Sequence, residues 1–329
     1  MHLGETKELF SVQSTSKPIS YAIALENFGP DKVHQHVGHE PSGVSFNAIT
    51  LNPKGLPHNP LINAGAIMVA SLIKPEMEES ARFSYVQNFW SKLAGGKRIT
   101  YDNTIFLSER NTADTNHALA YLMKSTGAFP GGDKVNLKEV LEFYFQCCSL
   151  QADCDTMSVV AATLANGGIC PLTGERILTT NTVKEVLSIM NSCGMYDYSG
   201  EFAFHVGLPA KSGVSGAIMI IVPGVMGICT YAPPLDKYGN SAKGVEFCTQ
   251  ISKKFSLHYF QIDHKNVLTT RKSSVDEESQ KLLHYCAMGD LASVKRLCLN
   301  PKLDLDAGDY DGRTPLHLAA SEGHLDILK

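Results

Sequence analysis

Apolar and polar positions divide the chain into a helical first two-thirds and a short strand-rich stretch. The run from Ile19 to Leu25 is opened by Gln13-Ser14-Thr15-Ser16-Lys17-Pro18 and closes at Gly29, which predicts a short loop turning into a helix. Val33 to Pro60 is rich in Gly, Pro and Asn, with turn signals at Glu40-Pro41-Ser42-Gly43 and Asn52-Pro53-Lys54-Gly55, and reads as loop. A helix of small residues starts at Asn63-Ala64-Gly65-Ala66-Ile67, where Asn63 either caps the helix or presents its amide to a ligand, the cap being the commoner use. Helical spacing continues over Phe83 to Leu93, Thr104 to Met123 and Leu137 to Cys148, and Asp155 to Ala165 stops at Asn166-Gly167-Gly168. The pattern then shortens. His205 to Leu208, Ala217 to Val222 and Gly227 to Tyr231 read as adjacent antiparallel strands, with Ala210-Lys211-Ser212-Gly213-Val214-Ser215-Gly216 at a strand edge between the first two.

After a polar stretch from His264 to Ser274 the order changes again. Thr314-Pro315-Leu316-His317-Leu318-Ala319, followed by Gly323-His324, carries the T-P-L-H-x-A signature of an ankyrin repeat, and Leu283 to Asp290 is a weaker preceding copy. The second copy is cut by Lys329, so the array is expected to be incomplete. The expected organisation is therefore residues 1–262 as one domain, 263–275 as linker and 276–329 as repeats. Ten acids against six bases from Asp276 onward account for the whole formal charge of −4, and nothing in this distribution points to nucleic acid. The longest apolar run, Ala217 to Pro223, is far below the roughly 20 residues a membrane span needs. Nine cysteines with no leader at Met1-His2-Leu3-Gly4 suggest reduced thiols inside the cell. Neither Cys147, Cys148 and Cys154 nor His34, His36 and His39 has a convincing metal-ligand spacing, so no metal is expected.

Chemistry concentrates at Ser14 and Lys17. Three residues apart at a helix start, they put a hydroxyl and an amine on one face, and a desolvated lysine can be neutral enough to take the serine's proton. The spacing alone is common: Ser71-Leu72-Ile73-Lys74 repeats it at a helix C-terminus, where the dipole opposes an alkoxide. Glu109 and Asn116, seven apart, would share one face of the helix Thr104 to Met123, with Tyr144 on another helix.

Ser14-x-x-Lys17, a mid-chain helical tyrosine and Lys211-Ser212-Gly213 on a strand follow the order of serine β-lactamases and penicillin-binding proteins, whose last motif is K-T-G. The closer resemblance is to the serine-dependent glutaminases, specifically the animal kidney/liver type with C-terminal ankyrin repeats. It is carried by Gln13 to Ala24, Pro57 to Gly65, Ala161 to Gly174, Ser192 to Ser199 and Phe202 to Ser212. The resemblance implies an α/β (α+β) fold, a β-lactamase-like domain with an antiparallel sheet and a helical subdomain, followed by all-α ankyrin repeats. It implies hydrolysis of L-glutamine to L-glutamate and ammonia through a glutamyl-enzyme ester. Ser14 would be nucleophile, Lys17 base and Tyr196 a proton relay. Gln13, Asn63, Glu109, Asn116, Tyr144 and Tyr196 would hold the substrate, while the N–H groups of Ser14 and Val214 form the oxyanion hole. No cofactor is implied. Phosphate activation, a dimer or tetramer, a mitochondrial location (cytoplasmic for a shorter isoform) and a protein partner for the ankyrin segment are.

The chain departs from that pattern in two places. The relatives carry a further stretch before the serine helix, with a substrate-reaching tyrosine and strands that pair with those around Lys211, and this chain begins too late to contain it. Ala48 and Thr50 replace residues, usually basic and aromatic, of the loop near the dimer contact that matches Phe46 to Gly55. The alternative is a catalytically impaired glutaminase-like domain that serves, with its ankyrin repeats, as a binding platform. Acyl transfer to β-lactams or peptides is disfavoured by Glu109 and Asn116, which suit a free amino acid.

Overall fold

The computed structural model describes residues 2–45, 48–261, 273–301, 303–309 and 311–329. It divides into two compact units, Met1–Phe260 and Gln261–Lys329. Phe46 and most of the expected linker, up to residue 272, lie outside the described residues.

The first unit has two three-stranded antiparallel sheets. One runs β1 (Phe10–Ser11), β3 (Leu150–Ala152), β2 (Thr100–Tyr101), and the other β4 (Ala210–Ser212), β5 (Ala217–Val222), β6 (Met226–Tyr231). The first sheet is too short for any alternation to announce it. In the second, Lys211 stands opposite Met219 and Met219 opposite Cys229, so these three share a face. The strand expected at His205 to Leu208 does not form: a helix ends at His205 and Gly207 turns the chain, so that Ala210–Ser212 itself is the strand.

Eleven helices among the described residues of this unit surround the sheets. They are α1 (Lys17–Phe28), α2 (Pro30–Val33), α3 (Asn63–Leu72), α4 (Glu79–Leu93), α5 (Asn103–Asn111), α6 (Asp114–Ser125), α7 (Leu137–Cys148), α8 (Cys154–Ala165), α9 (Thr180–Cys193), α10 (Ser199–His205) and α11 (Ala242–Phe255). α1 and α3 are buried along most of their length and occupy the centre, with Ile19, Tyr21, Ile23, Ile67 and Met68 fully buried. Gly65 lets α3 approach its own entry loop, because a Cβ there would lie 1.8 Å from the Asn59 carbonyl oxygen. Arg82 of α4 is buried against the far end of α3. Its guanidinium donates to the carbonyls of Ile73 (2.6 Å) and Ala70 (2.5 Å) and lies 3.7 Å from the centre of the Phe143 ring. The helix expected over Thr104 to Met123 is broken. α5 ends at Asn111 and α6 restarts at Asp114, so Glu109 and Asn116 sit on different helices.

The second unit contains α12 (Ser273–Met288), α13 (Leu291–Leu297), α14 (Pro315–Ser321) and α15 (Leu325–Leu328), packed around Leu282, Cys286, Val294, Leu303 and Ala319. The T-P-L-H motif works as a helix start: Pro315 occupies the first turn and the His317 ring nitrogen accepts the Thr314 backbone N–H at 3.2 Å. His324 of the later copy reaches the Ala287 carbonyl of the earlier one at 3.0 Å. No helix of the described residues is long and apolar enough to cross a membrane.

Candidate active site

Ser14 lies in a single 3-10 turn, Gln13–Ser16, and Lys17 is the first residue of α1. Gln13 has φ +48°, a left-handed backbone uncommon for a residue with a Cβ. Three bonds hold it: the Ser16 hydroxyl donates to the Gln13 carbonyl (2.7 Å), the Thr15 hydroxyl to the Val12 carbonyl (2.5 Å), and the Val12 N–H to Leu150 of β3 (2.8 Å). Ser14 is thereby presented, half-buried, on a turn fixed from both sides.

Lys17 is fully buried, and its Nζ donates to Asn63 Oδ1 at 2.6 Å. Burial is the main reason its ammonium is disfavoured, and its pKa falls to about 8. Asn63 does not cap α3: Ile62 holds the cap position, and the Asn63 amide turns inward, donating to Asn116 Oδ1 at 3.2 Å. The Tyr144 hydroxyl approaches Asn63 Oδ1 at 3.5 Å, and burial pushes the Tyr144 phenol well above its ordinary range. Glu109 acts electrostatically on Lys17, Tyr144 and Tyr196, so the two polar residues of the broken helix still converge.

Tyr196 is the second strained residue, with φ +53°. Burial raises its phenol, and an interaction with the Ser14 side chain offsets part of that rise. Its loop is held by the Ser199 hydroxyl, which donates to the Tyr196 carbonyl (2.6 Å) and accepts the Met195 N–H (3.0 Å), and by the Asn240 amide on the Met195 carbonyl (3.2 Å). Gly194, just before it, has no room for a side chain, since a Cβ would fall 1.7 Å from the Ala210 carbonyl oxygen.

Lys211 closes the cluster. It is fully buried, donates to the carbonyls of Gly194 (3.1 Å) and Ser212 (2.8 Å), and its Nζ lies 4.3 Å from the centre of the Tyr196 ring. Burial first, then the charge of Lys17, hold its pKa well below the usual lysine range. Gly213 packs on the nucleophile turn, its Cβ position 3.1 Å from the Val12 carbonyl oxygen and 3.5 Å from Gln13 Cβ. Val214 follows, with a side chain 48 % exposed.

The structure therefore brings Ser14, Lys17, Asn63, Asn116, Tyr144 and Tyr196 into one polar cluster, in which Lys17, Tyr144 and Tyr196 are buried and Ser14, Asn63 and Asn116 half-buried, with Gln13 and Val214 at its edge. Ser16, Ser199, Asn240 and Lys211 support it and were not among the expected site residues. Of these, Lys211 alone carried a signal, the K-S-G motif. Ser71, in the second S-x-x-K, is buried and donates to Met68, and Lys74 lies beyond the end of α3. His34 bonds Tyr21 and Val37, and His36 bonds Ala128. A cleft of about 480 Å³ near Asp31, His34, His39 and Glu185 is lined by none of the candidate residues. Chemistry rather than cavity size locates the site.

The glutaminase family pattern matches residues 1–260, and an ankyrin-repeat pattern matches residues 253–329. The chain belongs to the glutaminase family. It is 46% identical over 332 residues to the mitochondrial liver isoform of glutaminase from Rattus norvegicus, covering 99% of this chain and 55% of that protein. A glutaminase of Nostoc sp. is 44% identical over 260 residues, 79% of this chain and 76% of that protein. The crystal structure of a Bacillus glutaminase superposes with a TM-score of 0.74 at 35% identity, over 79% of this chain and 88% of that one. The fold is accordingly the mixed α/β, β-lactamase-like fold of glutaminases, with ankyrin repeats in the C-terminal region. The chain spans about half the length of the animal relatives it matches.

Proposed function

We propose that this glutaminase-family chain hydrolyses L-glutamine to L-glutamate and ammonia. The observation that carries the reading is Lys17: a buried amine, hydrogen-bonded to an amide rather than ion-paired, one turn from Ser14. Such an amine is neutral in part near neutral pH and can take the serine proton. Ser14 Oγ then attacks the side-chain carbonyl of glutamine, and the backbone N–H groups of Ser14 and Val214 receive the oxyanion. One such donor is typically worth about 2.7–4 kcal/mol. The Tyr196 hydroxyl, kept protonated by burial, gives its proton to the amide nitrogen, which leaves as ammonia as the C–N bond breaks, and takes back from Lys17 the proton removed from Ser14. Water hydrolyses the resulting ester by the reverse path.

Glu109 pairs with the substrate's α-ammonium, Asn63, Asn116 and Tyr144 receive its α-carboxylate, and Gln13 also holds the substrate. Asn63 has a second role, aiming the Lys17 amine. We assign the reaction to residues 1–262 and protein binding to the repeats of 276–329. A homo-oligomer, phosphate as activator without any cofactor, and the mitochondrial location named for the rat and mouse relatives complete the proposal.

The test is release of ammonia and glutamate from L-glutamine by the purified chain, with and without phosphate, beside Ser14→Ala and Lys17→Ala. Release by the parent chain that is lost in both variants supports the reading. No release by the parent, alone or with the relatives' N-terminal stretch added, sinks it and leaves the binding platform.

A further inference from the structure

Nine cysteines are spread through the chain; six are buried, Cys298 is exposed in the second unit, and Cys154 and Cys229 are half-buried. These last two meet. Cys154 is the first residue of α8 and Cys229 lies in β6, and their sulfurs are 3.8 Å apart, ordinary contact for two thiols. A disulfide needs about 2.05 Å, so the two sulfurs would have to close by a little under 2 Å. α8 and β6 pack closely further along the helix, where a Cβ on Gly227 would lie 2.0 Å from the Ala162 nitrogen.

We propose that Cys154 and Cys229 are a redox-active pair, which hydrogen peroxide converts to a disulfide joining α8 to β6. The Cys154 thiolate attacks one peroxide oxygen; an S–O bond forms, the O–O bond breaks, and the departing hydroxide takes a proton to leave as water. Cys229 then attacks the sulfenic sulfur of Cys154. An S–S bond forms, the S–O bond breaks, and the hydroxide leaves as a second water with the Cys229 proton. Two electrons pass from the sulfurs to the peroxide.

Cys154 is the better first nucleophile. It sits at a helix N-terminus, and the hydrogen bond from Cys229 holds its thiol below the ordinary range. Asp153 and Asp155 oppose this, but Lys7 draws on both, at 3.9 and 2.7 Å. Burial and the same contact raise Cys229, as befits the thiol that attacks second.

The bond would tie the two sides of the candidate site. Cys154 follows β3, whose Leu150 carbonyl holds Val12 just before the Ser14 turn. Cys229 shares its cross-strand row with Met219 and Lys211. The new chord closes a long loop of chain, which restricts the unfolded ensemble, and a rise in Tm of about 10 °C is expected.

The experiment uses the full chain and does not depend on turnover. Protein is treated with hydrogen peroxide, blocked with N-ethylmaleimide and digested, and the peptides are weighed beside melting curves before and after dithiothreitol. The expected result is a Cys154–Cys229 linked peptide two hydrogens lighter than its parts, with a higher Tm that dithiothreitol reverses. Cys229→Ala and Cys154→Ser should each lose both signals. A Cys154 that stays a thiol, or goes to the sulfinic acid without linking, overturns the pair. A linked peptide with an unchanged or lower Tm overturns the staple.

Discussion

Replacing Lys17 by Met should abolish turnover and stabilise the fold, and the second effect should depend on pH in a defined direction. The folded amine titrates at about 8 against 10.5 when solvated. Below pH 8 both states are protonated and the folded state bears the whole desolvation cost, about 3.4 kcal/mol for 2.5 units. Between pH 8 and 10.5 the folded amine is neutral while the unfolded one still binds its proton, and the penalty shrinks to roughly 0.8 kcal/mol at pH 10. Methionine fills a similar volume without charge, and the Asn63 bond it forfeits is worth about 1–2 kcal/mol. The net gain at pH 7 is about 1.4–2.4 kcal/mol, a Tm roughly 3–8 °C higher, and by pH 10 it should be gone or turned to a loss of up to about 1 kcal/mol. Thermal melts of both proteins at the two pH values measure the difference; Lys211, which the Lys17 charge holds down, is relieved in the same direction by the substitution. A Lys17→Met variant equally destabilised at pH 7 and pH 10 would show that the amine is not held against a desolvation cost, and the base assignment would lose its physical ground.

Three further outcomes follow from the same geometry. kcat/KM for glutamine should rise with pH, with a midpoint near 8, because only the neutral Lys17 accepts a proton; a flat profile from pH 6.5 to 9 would exclude it as base. Gly194→Ala drives a Cβ into the Ala210 carbonyl, so a loss of more than about 4 kcal/mol in denaturant melts is expected, with kcat falling more than KM as Tyr196 and Lys211 shift. Arg82→Lys keeps the charge but loses the planar fork that meets two carbonyls and the Phe143 ring, and should cost about 2–3 kcal/mol; a melt within 0.5 kcal/mol of the parent would refute that account.

Much of the scaffold was legible because its periods are strong. Leu137–Cys148 and the strands from Ala217 to Tyr231 stand where the pattern places them. The misses have separate causes. The apolar period runs on through Thr112 and Ala113, so nothing in it marks the break between α5 and α6. Asn63 is ambiguous in sequence because capping and ligand binding use the same side-chain amide, and only the tertiary neighbour Lys17 decides between them. Strands of two or three residues have no alternation to detect. Tyr196 could be reached only through family resemblance, since its left-handed backbone is imposed by Ser199, Asn240 and the packing of Gly194, all nonlocal to the residue's own pattern or invisible in it. The burial of Lys211 runs against the habit of its residue type, and no hydropathy profile would place it inside.

Val214 points to a different kind of experiment. Its side chain stands half in solvent, while the part assigned to chemistry is its main-chain N–H, which every residue except proline carries. In a saturation library selected for growth on glutamine as nitrogen source, tolerance should therefore not track distance from the nucleophile. Position 214 should accept most residues and reject proline, whereas 65 and 194, with backbone oxygens where a first carbon would go, should return almost no survivors but glycine.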